Sequence, residues 1–259
     1  MSVRRSATVG SALRWGATTL AVAVLVGCSA PEPVSPPVAA PMQGWLIASD
    51  DGCTVTSDEV RATADGLQRT GLAAAGYRTL LAACAGELRF VVDDDRAFLR
   101  AQGLSLETIT PADPRVRQAV PAGVPVVALQ TAITRAVMTA RPLIVAGEAR
   151  VVVPPENLAV LTRADVLDVA RDDRRAAGAP VHDDPNVSVR AVGATGLLVG
   201  LINPAAERRV VSVAIADLNL MGDDSVPATE LWTGRRLHAV DGRLAVELDP
   251  GASALLAIG

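Results

Sequence analysis

The stretch Gly44-Trp45-Leu46-Ile47-Ala48-Ser49, followed by Gly52-Cys53 and then by Ser57 to Cys84, decides the fold. Leu46-Ile47-Ala48 is a short apolar run of strand character. Thr56-Ser57 with Glu59 is a helix-start pattern, and Val60, Ala64, Leu67 and Gly71-Leu72 recur at helical spacing. The helix-like run lasts from Ser57 to Ala75. The chain then reads Gly76-Tyr77-Arg78-Thr79-Leu80-Leu81-Ala82-Ala83-Cys84, where Leu80-Leu81 marks a second strand. Strand, helix and strand in that order predict a β-α-β unit with parallel strands.

The alternation continues to about Asp173. Arg96 to Gln102 is helical and ends at Gly103, with the charge run Asp93-Asp94-Asp95 placed to cap it. Leu104 to Ile109 is a third strand-like run, and Val124 to Leu129 is a candidate fourth. Thr131 to Ala140 is helical, and Pro142-Leu143-Ile144-Val145-Ala146 reads as a buried strand. Pro154-Pro155-Glu156 opens a helix through Leu161, followed by Ala164 to Ala170. From about Asn186 the pattern changes to short strands: Val187 to Val192, Gly196 to Ile202, Val210 to Ala216, Ala228 to Trp232, Leu244 to Leu248 and Ala254 to Ile258. Asn203-Pro204 and Asp241-Gly242 mark turns between them. The fold class expected is α/β plus all-β. An incomplete (β/α) barrel-like domain over 44–180 is followed by a C-terminal antiparallel β-sandwich over 186–259. A complete eight-unit barrel needs about 250 residues and rarely fewer than about 200. Gly44 to Asp173 spans only 130, so several βα units are missing or much shortened.

In identity and order, these motifs resemble family 27 of the glycoside hydrolases, the α-galactosidases and α-N-acetylgalactosaminidases. That family opens Gly-Trp-Asn-Ser-Trp, then has a Gly-Cys pair, reads Ala-Gly-Tyr after its first helix and closes its second strand with Asp-Asp-Cys-Trp. Here Gly44-Trp45, Gly52-Cys53, Ala75-Gly76-Tyr77 and Cys84 keep the frame. Arg135 to Asp172, with Pro142-Leu143-Ile144 and then Glu156-Asn157-Leu158-Ala159-Val160-Leu161-Thr162, is similar to the family's last strand and helix. Leu201-Ile202-Asn203-Pro204, Glu230-Leu231-Trp232-Thr233-Gly234-Arg235 and Gly251 to Leu256 are similar to its C-terminal sandwich. Trp232, the sandwich's one tryptophan, is expected to pack against the α/β body.

The resemblance implies a glycosidase frame, and a retaining glycosidase needs a nucleophile and a general acid/base about 5–5.5 Å apart. The matching positions have lost those groups. The two aspartates that would hold sugar hydroxyls fall on Ala82 and Ala83. The nucleophile strand matches Gly103 to Thr110, which puts Thr110 at the nucleophile, Thr108 at a lysine and Ser105 at an aspartate. No segment matches the acid/base. A threonine without an adjacent base is a poor nucleophile at neutral pH. Glu107 and Asp113 are the candidate substitutes, and Trp45, Asp50 and Asp51 the candidate substrate-binding residues, with a turn role as the alternative for the two aspartates. Glu148 and Arg150 read as a structural loop pair. His182 and His238 lack ligand spacing, and the chain has no zinc cluster, phosphate-binding glycine loop or serine-nucleophile elbow. No metal and no cofactor is expected.

The N-terminus speaks to compartment. Arg4, Arg5 and Arg14 precede an apolar run, Ala17 to Val26, too short to span a bilayer, and Leu25-Val26-Gly27-Cys28 matches a bacterial lipobox. Residues 1–27 are therefore expected to be a lipoprotein signal peptide. A fatty-acyl chain on Cys28 would hold the exported protein on the outer face of the bacterial cell membrane. Residues 28–43 form a Pro/Ala-rich tether, with five prolines between Ser29 and Pro41. Losing the leader removes three arginines and no acid, taking the formal charge from −4 to −7. All 24 basic residues are arginine and none forms a basic cluster in sequence, which argues against a nucleic-acid partner. With Cys28 lipidated, Cys53 and Cys84 remain. An even pair in an oxidising compartment favours a disulfide, with two buried free thiols as the alternative. The resembled family pairs the two cysteines at these places. Three functions stay open: a non-catalytic envelope lipoprotein binding glycan or a protein partner, a residual glycosidase with relocated carboxylates, and a purely structural envelope protein.

Overall fold

The structure is a computed structural model that describes residues 43–47, 54–84, 88, 91, 93–172, 176–220 and 226–259. Strand β1 (Gln43–Ile47) leads to helix α1 (Ser57–Arg69) and strand β2 (Thr79–Ala83). β2 lies parallel to β1, with Trp45 opposite Leu80, which is the β-α-β unit read from Gly44 to Cys84. The start of α1 is fixed by a capping box. Thr56 Oγ1 accepts from the Glu59 amide, and Glu59 Oε2 accepts from the Thr56 amide at 2.8 Å. Together they satisfy two of the helix's orphan donors. Val60, Ala64 and Leu67 follow at i, i+4 and i+7 and form the buried face.

Helix α2 (Asp93–Ala101) begins three residues before Arg96. Asp93-Asp94-Asp95 is thus the first turn of the helix and not a cap outside it. Carboxylates there favourably oppose the positive end of the helix dipole. Asp95 is fully buried. It accepts from Ser57 Oγ and, at 2.8 Å, from Arg61 Nε, so it ties α2 to α1. Strand β3 (Ser105–Ile109) pairs parallel with β2. After the short helix α3 (Pro114–Gln118), the fourth strand β4 is only Val120–Pro121.

The expected strand over Val124 to Leu129 is instead the beginning of helix α4 (Val126–Met138). The valines around Pro125 suggest a strand. However, Leu129, Ile133 and Val137 extend one apolar face back into that run, and Pro125 sits at the helix entrance where its missing N–H costs nothing. Strand β5 (Leu143–Gly147) follows, then helices α5 (Pro155–Leu161) and α6 (Ala164–Ala170). The parallel sheet has the order β3-β2-β1-β5-β4. Its last long strand lies beside its first, as in a closed (β/α) barrel, and the sheet is a barrel wall of five strands. At one edge, β4 is two residues long and ends in Pro121, which has no N–H to offer a neighbouring chain.

The remainder is antiparallel: β6 (Ala179–Val181), β7 (Asp184–Val192), β8 (Gly196–Ile202), β9 (Arg209–Ala214), a 3-10 turn at Ile215–Leu218, β10 (Pro227–Glu230), β11 (Arg235–His238), β12 (Arg243–Leu248) and β13 (Ser253–Ile258). A six-stranded sheet ordered β11-β10-β13-β8-β7-β6 faces the pair β12-β9, and Leu201, Val213, Leu244 and Leu256 share the core between them. Because β6 pairs with β7, this sheet begins at Ala179, seven residues before Asn186. The strands β6 and β11 were not legible, β6 being only Ala-Pro-Val with a proline at its centre and β11 four mostly basic residues.

The two halves share one core. Trp45, Leu80, Val145 and the inner faces of α1, α4, α5 and α6 are continuous with Leu198, Trp232 and Leu255. Trp232 Nε1 donates to the buried Thr134 of α4 at 3.1 Å, and Thr134 Oγ1 is 3.0 Å from Ser253 Oγ. Arg190 of β7, also buried, donates through Nη1 to the Val137 carbonyl at 2.7 Å and through Nη2 to the Asp172 carbonyl at 3.3 Å. Burial pulls the pKa of this guanidinium down, and the nearby Asp172 pushes it back up.

Candidate functional site

In (β/α) barrels the chemistry sits at the carboxyl ends of the strands. Here those ends present Ile47, Ala83, Thr110, Ala122 and Glu148 in turn. Ala82 is fully buried against the helices, and Ala83 packs on the other face of the sheet. Neither offers a polar group. Thr110 is exposed just past β3, with no carboxylate within ion-pair or hydrogen-bond contact among the described residues.

Trp45 does not serve as a sugar platform. Alternation along β1 turns its ring to the face packed by α1 and α4, where it is 0% exposed. Gly147 leaves it room: a Cβ there would lie 2.3 Å from Trp45 Cζ2. Asp50, Asp51, Cys28 and Cys53 lie outside the described residues. Cys84 is disulfide-bonded.

Glu107 and Asp113 do converge, but on a cation. Glu107 shares the parity of Ile109, so it faces away from the helices, on the side that would line a barrel. There it meets Arg115. Arg115 Nη2 lies 2.6 Å from Glu107 Oε1 and 2.8 Å from Asp113 Oδ2. Asp113 also caps α3 by accepting from the Arg115 amide at 2.8 Å, and it accepts from Arg115 Nε at 3.1 Å. The Arg115 guanidinium beside Asp113, helped by that amide, holds the carboxyl below the usual aspartate range. The two carboxylates in turn raise the arginine's own pKa. A general acid for glycoside cleavage needs its pKa raised, by burial or by a like charge. Here the surroundings of Asp113 push the opposite way, and Glu107 is bound to the same cation.

The side of the sheet that would line a barrel is filled with apolar groups. Leu46, Leu81, Ile109 and Ile144 form a cluster there, and Val116 of α3 and Ala119 pack onto it. The connection from β3 to β4 thus packs across the inner face of the sheet. Beside the end of β5, a shallow recess of about 360 Å3 is bordered by Glu148, Arg150, Asp58 and Glu59. Among the described residues, no three His, Cys, Asp or Glu side chains converge as a metal site.

Arg115 was not foreseen as a site residue. The sequence does carry part of the signal, since Asp113-Pro114 is a cap followed by proline at the first helical position. What it does not carry is the fold-back that brings Arg115 to Glu107.

No protein-family model matches the chain, and no curated protein matches it. Solved structures do. An α-galactosidase from Saccharomyces cerevisiae superposes with a TM-score of 0.67 at 9% identity, covering 87% of this chain and 100% of that one. In fold, the chain is α-galactosidase-like. Alpha-galactosidase I from Mortierella vinacea gives a TM-score of 0.64 at 10% identity, covering 85% of this chain and 97% of that one. The resemblance read from Gly44-Trp45, Ala75-Gly76-Tyr77 and the C-terminal motifs therefore holds at the level of the fold. The α-galactosidase-like fold is seen here with a five-stranded parallel sheet in its first half.

Proposed function

We propose that this chain is a cell-envelope lipoprotein that uses an α-galactosidase-like frame without hydrolysing α-galactosides. The observation that carries the reading is Arg115 held between Glu107 and Asp113. It engages both candidate substitute acids on one cation, which holds the Asp113 carboxyl below the usual aspartate range and so supports a non-catalytic reading. Alanines at 82 and 83, and Val116 and Ala119 packed on the inner side of the sheet, support the same reading. Nucleophilic attack and leaving-group protonation each need a group of their own, so loss of both leaves no route above background. The envelope placement rests on Leu25-Val26-Gly27-Cys28 after an apolar run, with lipid on Cys28 and a disulfide between Cys53 and Cys84 as its companions. On this reading the frame serves as a binding or packing body for an envelope glycan or a protein partner.

The test is turnover of an aryl α-galactoside and an aryl α-N-acetylgalactosaminide by the purified protein. No release above a heat-inactivated control is expected. Clear turnover that disappears in Glu107→Gln or Asp113→Asn would make the chain a glycosidase with relocated carboxylates. Metabolic labelling with a tagged fatty acid checks the anchor: label on the wild type and none on Cys28→Ala is expected, and equal labelling of both defeats it.

A further inference from the structure

Away from the strand ends, a cleft of about 530 Å3 lies between the α/β half and the antiparallel sheet. It opens where β5 begins, so it is at the opposite end of the parallel sheet from Glu107 and Asp113. Three arginines line it: Arg117 in α3, Arg135 in the last turn of α4, and Arg141 just before β5. Ser188 of β7 and Pro180 of β6 belong to the other wall, and Pro142 and Pro180 give the accessible apolar surface. No acidic side chain lines the cleft among the described residues. In a chain with a formal charge of −4, three unopposed cations around one cleft are a local reversal of sign.

The usual structural reasons for these arginines do not apply. None of the three enters an ion pair or donates a side-chain hydrogen bond among the described residues. Arginines at a helix C-terminus commonly serve its last carbonyls. Here those carbonyls are already taken. Arg135 O accepts from the Thr139 amide at 3.0 Å and from Thr139 Oγ1 at 2.7 Å. Ala136 O accepts from the Arg141 amide at 3.0 Å. Val137 O accepts from Arg190 at 2.7 Å, and Met138 O accepts from the Gly178 amide at 2.6 Å. The guanidinium heads of Arg135 and Arg141 are left over, exposed at the cleft. Gln118 and Ser188 add polar side chains with no hydrogen-bond partner among the described residues.

We propose that this cleft binds a small molecule bearing a doubly charged oxyanion of the phosphate-monoester kind, with a short uncharged body lying along the Pro142 and Pro180 surface. Guanidinium groups present paired donors that match phosphate oxygens. The volume falls in the range of small-molecule sites, well beyond what a bare ion needs. A soluble phosphorylated metabolite and a lipid headgroup share this chemistry. The inference is independent of the proposed loss of hydrolysis, because it uses no residue at the strand ends.

The experiment is calorimetric titration of the full chain in neutral-detergent micelles. The probes are inorganic phosphate, glycerol 3-phosphate and a short-chain phosphatidic acid, with a short-chain phosphatidylcholine as control. Saturable binding of at least one phosphate-monoester probe is expected, weakening as salt is raised. Each of Arg135→Gln and Arg141→Gln should weaken it about ten-fold, the scale of one charged hydrogen bond. Arg209→Gln and Arg235→Gln, exposed arginines outside the cleft, should leave it unchanged. Thermal unfolding of the variants should match the wild type, since the side chains changed make no ion pair or side-chain hydrogen bond among the described residues. Preference for glycerol 3-phosphate identifies a soluble metabolite, and preference for phosphatidic acid identifies a headgroup. Binding of no probe, or binding that an Arg135→Gln/Arg141→Gln double variant leaves within about two-fold of wild type, overturns the proposal.

Discussion

Asp113 gathers a backbone amide and a guanidinium onto one small carboxylate, and this gives the protein a pH-dependent contact. Its folded pKa is depressed by Arg115, so its contribution to stability is complete above the unfolded value of about 3.9 and is lost as pH falls through the folded value. The predicted signature is a stability gap between wild type and Asp113→Asn that is full at neutral pH and closes in acid. Urea unfolding at a series of pH values measures it, and a gap independent of pH would mean Asp113 acts only through its shape. Two of the three members of this cluster were legible, because Glu107 and Asp113 stood out as acids beside a would-be catalytic strand. That both serve Arg115 was not, because Arg115 is separated from Glu107 by a turn whose path depends on α3 packing onto Ile109 and Ile144. Trp45 was misread for a related reason: its identity matched a sugar-site motif, but strand alternation turns it toward the helices.

Among the elements, α1 is the one written most completely in local sequence. Thr56, Glu59 and the spacing of Val60, Ala64 and Leu67 specify its start and its buried face before any tertiary contact is made. Thr56→Ala should cost about 1 kcal/mol, the usual worth of an N-cap hydroxyl, read as a lower urea midpoint with an unchanged slope. A cost near zero would show that Glu59 alone holds the turn. By contrast, α4 contradicts its local signal. The valines at 124, 126 and 127 have strand propensity, yet burial of Leu129, Ile133 and Val137 against both halves outweighs it. β4 shows the complementary effect. Two residues ending in proline carry no strand signal, and only pairing of Val120 with Val145 makes them one.

For the molecule as a whole, α4 is the shared wall. Thr134 receives Trp232, Val137 receives Arg190, and Thr131 donates to the Gly251 carbonyl at 2.7 Å. With one apolar cluster running through both halves, the folded body should unfold in a single transition, and tryptophan fluorescence and far-UV circular dichroism should give coincident curves. Two separated transitions would mean the halves are independent domains. The order of elements from β1 to β3, the α4-β5-α5-α6 succession that follows, the change from alternating βα to short antiparallel strands, and the α-galactosidase-like frame were determined by the sequence itself. They reside in local periodicity, caps, turns and short ordered motifs, each readable within a few residues. Only the tertiary structure decided that the last long strand lies beside the first, that a guanidinium joins Glu107 to Asp113, and that three arginines from α3, α4 and the start of β5 face one cleft. Each of those depends on residues distant in sequence being brought together by burial of apolar surface, a non-directional force that leaves no mark in any single stretch of chain.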